Sequence, residues 1–144
     1  AGQAFDAATK YLTARENAAS HYQKTPNSWV DEAKPAMTPA FYKQLSSADA
    51  GPGEYAWGAA HTGGIKIKVS TECATYPAIP QTATTQTITC SVRDAVVDKN
   101  GKPYPLAQVP PQWPFAGEQP MALLRMEKVG NQWLVAGDDT GQAG

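Results

Sequence analysis

The sequence predicts an α+β domain in which three N-terminal helices pack on a bent antiparallel sheet of about four strands. Apolar residues recur every three or four positions over the first third of the chain, and from position 65 they alternate singly with polar residues. The length of 144 residues, with 42% hydrophobic and 17% charged residues, suits one folded domain and excludes disorder. We therefore expect one domain over 1–144, with a helical part at 1–48 and a sheet at 65–137.

The first helix is predicted from Ala4 to about Lys24. Its apolar stripe has spacings of three and four residues and is interrupted by the charged pair Arg15 and Glu16. The stripe consists of Phe5, Ala8, Leu12, Ala19 and Tyr22. A Thr-Pro-Asn turn sequence at 25–27 is expected to end the helix.

Two shorter helices are predicted next. Ser28 offers an N-cap hydroxyl for the second helix, and Pro35 is expected to end it. Thr38 and Pro39 predict the start of the third, since a capping hydroxyl there precedes a proline at the first helical position. This helix should run to about Ser47. The stretch 50–64 holds five glycines and one proline and is predicted to be a loop.

From position 65 the hydrophobic period of two predicts strands with one buried face. The inward residues of the first two strands are Ile65, Ile67, Val69, Thr71, Cys73, Ile88, Cys90 and Val92. The alternation fails at Asp94, for which a β-bulge is the expected cause. A hairpin over 121–136 with its turn at Gly130 and Asn131 is predicted to close the fold, and the polar tail after Gly137 is expected to fray.

The two cysteines, Cys73 and Cys90, both lie on the predicted inward faces of adjacent strands. If they pair across the hairpin, Thr71 opposes Val92 and both polar faces point to water, so the register and a disulfide agree. Two buried free thiols are the alternative. We expect the disulfide, which would contribute on the order of 3 kcal/mol and would indicate an oxidising compartment outside the cytosol.

The stretch 103–120 contains six of the twelve prolines and is predicted to be a long loop draped over the sheet. Tyr104, Trp113 and Phe115 are its aromatic residues and are candidates for anchoring a protein partner. The alternative is a lid whose aromatic side chains cover the open end of the fold.

Charge and hydropathy exclude several classes of partner. Twelve basic and thirteen acidic side chains give a net charge of −1, so binding to nucleic acid or to an anionic lipid surface is not expected. No segment approaches the ~20 apolar residues that span a bilayer. Two interpretations remain, a cytoplasmic protein or the soluble part of an exported one, and the opening Ala1 favours the second, with a removed N-terminal segment.

Several stretches resemble exported actinobacterial domains with the cone-shaped nuclear-transport-factor-2-like fold. The matching residues are Ala4, Phe5, Tyr11, Leu12, Trp29, Thr38, Pro39, Leu124–Met126, Gly130 and Trp133–Val135. Relatives of that kind include assembly factors of conjugative and type IV secretion machines and accessory proteins of mammalian-cell-entry lipid transporters. The resemblance implies a non-catalytic extracytoplasmic protein-interaction module of an envelope complex. Such domains commonly follow a membrane helix, and their partners are proteins, with a second copy of the chain among the candidates.

Enzymes of that superfamily place carboxylates, Tyr or His inside the cone. Asp94 would face Tyr11 or Tyr22 there if the strand alternation held, but we expect a bulge to turn Asp94 outward. His61 is expected to be exposed in the glycine-rich loop. We expect no catalytic residue, no cofactor and no metal, because no catalytic triad order, P-loop or metal-ligand spacing occurs.

The interior of the fold distinguishes three functions. A dry pocket that holds a carboxylate near Tyr or His would favour an enzyme of the isomerase or dehydratase kind found in that superfamily. An open apolar cavity would favour a small-molecule carrier. An interior filled by side chains would favour an assembly module, which is the function we expect.

Overall fold

The computed structural model describes residues 2–105 and 117–140. In chain order the elements are α1 (Gly2–Glu16), α2 (Trp29–Ala33), a 3₁₀ turn (Lys34–Ala36), α3 (Pro39–Ser46), α4 (Glu54–Gly63), β1 (Lys66–Thr75), β2 (Thr85–Val97), β3 (Gly117–Glu118), β4 (Ala122–Val129) and β5 (Gln132–Asp138). The predicted α+β class is therefore confirmed. The described residues form four helices, one more than expected, and an open antiparallel sheet of five strands.

Helix α1 ends at Glu16, eight residues before the predicted end. The helix ends next to Asn17, whose buried side chain forms hydrogen bonds with the backbone of β1. Its amide nitrogen donates to the carbonyl oxygens of Thr13 (3.0 Å) and Ile67 (2.9 Å), and its Oδ1 accepts the Ile67 backbone N–H at 2.9 Å. Asparagine side chains compete in this way with the hydrogen bonds of a helix. The helix therefore ends where the Asn17 side chain can bond the edge of β1.

The start of α3 confirms the predicted cap. The Thr38 hydroxyl accepts the backbone N–H of Phe41 at 3.2 Å, and Pro39 holds the first helical position. Ser28 precedes α2 as predicted, but its hydroxyl donates to Gln23 Oε1 at 2.9 Å and does not cap the helix. Pro35 lies in the 3₁₀ turn that ends this helical segment.

The prediction that 50–64 is a loop is wrong, because α4 occupies Glu54–Gly63. Most of the glycines lie at the helix ends: Gly53 is the N-cap, and Gly64 is a left-handed C-cap with φ of 67°. Ala56 and Ala60 are buried against Ile65 and pack in a small second core. Glycine content misled the prediction because it did not separate caps from the helix interior.

His61 also differs from its expected exposure, because it is half-buried on α4. Its Nδ1 lies 2.9 Å from the Trp57 carbonyl oxygen, and its Nε2 lies 2.8 Å from the Gln23 carbonyl oxygen. The rings of Trp57 and His61 stack with centroids 3.6 Å apart. His61 thereby ties α4 to the segment that follows α1.

The sheet has the order β1-β2-β4-β5, and the short β3 pairs with β2 beside β4. Cys73 opposes Cys90 and Thr71 opposes Val92, so the predicted register of the first hairpin is confirmed. The disulfide Cys73–Cys90 is present. In the closing hairpin, Met126 opposes Val135 as the turn position implies, and the register shifts between Arg125 and Met126.

Only the ends of the proline-rich stretch belong to the described residues. Pro103 bridges to Val97, and Gly117–Glu118 pairs with Arg93 and Asp94 on β2. The predicted long loop at 103–120 is thus anchored to the sheet at both ends, while its middle, 106–116, lies outside the described residues.

One face of the sheet carries the main core beneath α1, α2 and α3. This core includes Ala8, Tyr11, Leu12, Trp29, Val30, Phe41, Ile88, Cys90, Val92, Leu124, Met126 and Val135. The helices fill this face of the sheet with side chains. Over residues 2–105 and 117–140, no helix combines the length and apolar character that crossing a bilayer requires.

Replacing Cys73 and Cys90 together with Ala is expected to lower the free energy of unfolding by about 3 kcal/mol, because the bond closes a loop spanning 17 positions. Denaturant melts of both proteins, with and without reductant, measure the effect. Reductant should destabilise the native chain and leave the double variant unchanged. Two freely alkylated cysteines in native, unreduced protein would contradict the bond.

Candidate functional site

A charged cleft of about 440 Å³ lies where the C-terminal end of β5 meets α1 and α3. Its lining includes Tyr11, Arg15, Trp29, Phe41, Gln44, Leu45, Arg125, Asp138, Asp139 and Thr140. The aromatic rings are edge-on or tilted to one another, with the Tyr11 centroid 6.0 Å from Trp29 and 5.7 Å from Phe41. The cleft thus has an aromatic wall and a charged rim.

Tyr11, Arg15 and Asp138 form the centre of this rim. The Tyr11 hydroxyl donates to Asp138 Oδ2 at 2.7 Å, and an Arg15 guanidinium N–H donates to the same oxygen at 2.9 Å. Burial disfavours the charged form of Asp138, but the Arg15 charge and hydrogen bonds from Thr140 and Tyr11 hold its pKa below the usual range. Burial and the Asp138 carboxylate raise the pKa of Tyr11.

Beneath the cleft, Arg15 joins this network to a buried pair of carboxyl groups. Its Nε lies 3.1 Å from Glu16 Oε2, and Glu16 in turn faces Asp94 on β2. Asp94 is only 3% exposed and Glu16 only 6%. Within the described part of the chain, both Asp94 oxygens and Glu16 Oε1 lack a hydrogen-bond partner when both acids are ionised.

A proton on one of the two carboxyl groups supplies the missing hydrogen bond between them. Burial, followed by the hydrogen bond and charge of Glu16, raises the pKa of Asp94 to about 9, against a smaller opposing effect of Arg15. At neutral pH, Asp94 is therefore the protonated member and can donate to Glu16, whose other oxygen remains paired with Arg15. With Asp94 neutral, the buried pair avoids two adjacent negative charges, whose burial would cost more.

The expected outward turn of Asp94 is wrong. β1 and β2 pair without a register shift, and Asp94 opposes Val69 on the inward face. Strict alternation continues through this position because α1 supplies a polar neighbour, Glu16, for the carboxyl group. The break in the apolar pattern at Asp94 therefore reflects a buried polar contact and not a β-bulge.

The two tyrosines proposed to face Asp94 both bond elsewhere. Tyr11 donates to Asp138, and Tyr22 is 41% exposed with its hydroxyl 3.3 Å from Glu32 Oε1. Burial and the nearby Glu32 charge raise the pKa of Tyr22 to about 12. The structure therefore brings Asp94 together with Glu16 and Arg15, and not with a tyrosine.

The three aromatic residues proposed to anchor a partner can be placed only in part. Tyr104 is half-buried, its backbone N–H donates to the Val96 carbonyl at 3.1 Å, and its ring packs on the small core under α4. A Cβ on Gly63 would lie 2.7 Å from its hydroxyl, which shows how closely the ring covers this helix end. Trp113 and Phe115 lie outside the described residues.

Sequence reasoning missed Arg15, Glu16 and Asp138 as members of the site. The available signal was the charged interruption of the α1 stripe at Arg15 and Glu16, since charges on an apolar face need buried partners. Asp138 was assigned to a fraying tail, and that prediction is wrong for 138–140: Asp138 pairs with Leu124, and the Asp139 N–H donates to the Leu123 carbonyl at 2.8 Å.

The described residues hold no group of three or more His, Cys, Asp or Glu side chains arranged to bind a metal ion. Glu16 and Asp94 do not line the cleft. Comparison of the chain with protein-family models, curated proteins and solved structures finds no match.

Proposed function

We propose that this domain is a non-catalytic, extracytoplasmic protein-interaction module of a membrane-associated envelope complex. The observation that carries the proposal is the filled inner face of the sheet, where Leu12, Val30, Ile88 and Leu124 are buried in one core, so that the charged cleft lies at the end of this core and not inside it. Function lies in the sites that a fold carries, and a domain with a filled core presents its surface to other molecules. The relationship to nuclear-transport-factor-2-like cones belongs to this proposal, supported by the helix-then-sheet order and the position of α1.

The chemistry of the site favours this function over an enzyme. The buried carboxyl pair has an unusual proton affinity, as catalytic acids often do. However, its two members are almost fully covered and compensate each other, so they serve to join α1 to β2. The rim of the cleft carries opposite charges that are already paired, the largely buried Arg15 with Asp138 and the more exposed Arg125 with Asp139 at 2.8 Å.

The disulfide supports the extracytoplasmic part of the proposal, since disulfides persist in oxidising compartments. The partner surface is proposed to include the proline-rich stretch, with Trp113 and Phe115 as anchors. Proline limits the entropy lost when such aromatic side chains dock. Tyr104 would define the edge of this surface nearest α4.

The compartment is tested in cells that produce the full gene product. The cells are treated so that their outer layers become permeable while the cytoplasmic membrane stays intact. A membrane-impermeant maleimide is then expected to label the cysteines only after reductant is added. We also expect native gels of detergent-solubilised envelopes to place the protein in a complex larger than itself. Reduced cysteines that react only after lysis would overturn the proposed compartment.

Trp113→Ala is expected to weaken association with that complex while leaving the melting temperature nearly unchanged, because a docking side chain stabilises the partner contact and not the core. The matched control is Trp29→Phe, which alters the buried core and should lower the melting temperature. A fall of several degrees for Trp113→Ala would instead assign its ring to the core, and the loop would be a lid.

A further inference from the structure

Strand β1 lies at an edge of the sheet, and its hydrogen bonds show which backbone groups face outward. Ile67 directs both its N–H and its carbonyl away from β2, to the side chain of Asn17. Tyr76 directs its N–H to Thr87 on the β2 side. Because the direction alternates along an antiparallel strand, the groups of Val69, Thr71, Cys73 and Thr75 point to the open edge.

Hydrogen bonds from other parts of the chain protect only one end of this edge. Asn17 caps Ile67, and the His21 N–H covers the Ile65 carbonyl at 3.0 Å, but among the described residues nothing bonds the outward backbone groups from 69 to 75. The stretch contains no proline and pairs with β2 without a bulge. Such an edge is a template for another strand.

We propose that β1 pairs antiparallel with β1 of a second copy of this chain, about a two-fold axis at Thr71. Thr71 would pair with its symmetry mate and Val69 with Cys73 of the other copy, giving about six backbone hydrogen bonds. Lys68 and Glu72 are exposed on the same solvent face of β1. In this register each Lys68 reaches Glu72 of the other copy diagonally, a contact open to long side chains.

The register follows from two features of the edge. A pairing centred on Ser70 would place Cys73 of the second copy opposite Ile67, where Asn17 already occupies the backbone groups. A pairing centred on Glu72 would set the two Glu72 carboxylates against each other, which is unfavourable. The pairing centred on Thr71 also brings Thr75 of the second copy opposite Ile67, but it keeps three open residue pairs, against two for the pairing centred on Ser70. It also brings the opposite charges of Lys68 and Glu72 together.

The biological role of this dimer rests on the proposed function. A docking module that dimerises through its sheet edge presents two partner-binding surfaces. One strand pair buries less than the ~1,600 Å² of a standard interface, so we expect a weak dimer with a dissociation constant in the micromolar range. The purified domain suffices for the test. A cytoplasmic location would overturn the proposed function without affecting this result.

Charge exchange between Lys68 and Glu72 tests the pairing by sedimentation velocity. Lys68→Glu and Glu72→Lys should each weaken the dimer about tenfold, because both diagonal contacts become repulsive. The double variant should restore dimerisation, and a mixture of the two single variants should form a heterodimer. Lys99→Glu and Glu127→Lys, exposed charge reversals off this edge, are the matched controls.

Amide hydrogen exchange supplies a second measurement that needs no variant. The Val69, Thr71 and Cys73 amides should exchange more slowly as protein concentration rises, while the Ser70 and Glu72 amides, already bonded to β2, should not change. Protein that stays monomeric into the millimolar range overturns the proposal. So does a dimer that tolerates the edge variants as well as the controls.

Discussion

Asp94→Asn should make the domain more stable than the native chain above pH 5, with a gain of roughly 2–4 kcal/mol by pH 8. The carboxyl group ionises near pH 4 in the unfolded chain, whereas burial and Glu16 raise its folded pKa to about 9. Its contribution is therefore fully present below about pH 4 and is lost as pH rises towards 9. The slope is at most about 1.4 kcal/mol per pH unit.

Asparagine removes this loss because it stays neutral at every pH, and its amide can still donate to Glu16. Denaturant melts at one-unit steps from pH 5 to 9 measure the difference. Asp6→Asn is the matched control, because it removes an exposed carboxylate of α1, and it should keep the native slope of stability against pH. Equal slopes for the native chain and Asp94→Asn would contradict the protonated pair.

Acid should act through a different group. Arg15, Thr140 and Tyr11 hold the pKa of Asp138 low despite its burial, so its contribution is present above the pKa of the unfolded carboxyl group and is lost as pH falls through the folded one. This loss lies below about pH 4 and affects the native chain and Asp94→Asn alike. If docking is the function, Asp94→Asn should also leave partner binding unchanged.

Asn17→Ala should lower the free energy of unfolding by about 3 kcal/mol, a large effect for a side chain with no hydrophobic role. The change leaves the Ile67 N–H and carbonyl without partners in a buried position. It also removes the link that fixes the end of α1 against the edge of β1. Chemical denaturation measured at pH 7 gives the value.

Asn17→Asp is a graded companion to this change, because it keeps the acceptor for the Ile67 N–H but loses the donor to the Ile67 carbonyl. At pH 7 it should therefore be less stable than the native chain. At low pH its protonated carboxyl group can donate again, so its stability should lie between those of Asn17→Ala and the native chain. Asn131→Ala, in the exposed hairpin turn, serves as the control and should cost under about 0.5 kcal/mol. A comparable loss for Asn17→Ala would mean that water replaces the missing amide.

The sequence by itself determined the α+β class, the cap of α3, the register of the first hairpin and the disulfide. Each of these depends on local patterning: Thr38 followed by Pro39 caps a helix, and alternation on two strands places Cys73 opposite Cys90. A short-range pattern suffices there because the groups that bond lie on one element or on adjacent strands.

Only the tertiary structure decided where α1 ends, that α4 forms, and that Asp94 points inward. Asn17 leaves its helix because Ile67, fifty positions later, offers a backbone edge to bond. Asp94 keeps its inward position because its protonated carboxyl group can donate a hydrogen bond to Glu16 on α1. In each case the deciding partner is distant in the chain, and the cost of burying an unpaired polar group outweighs local propensity.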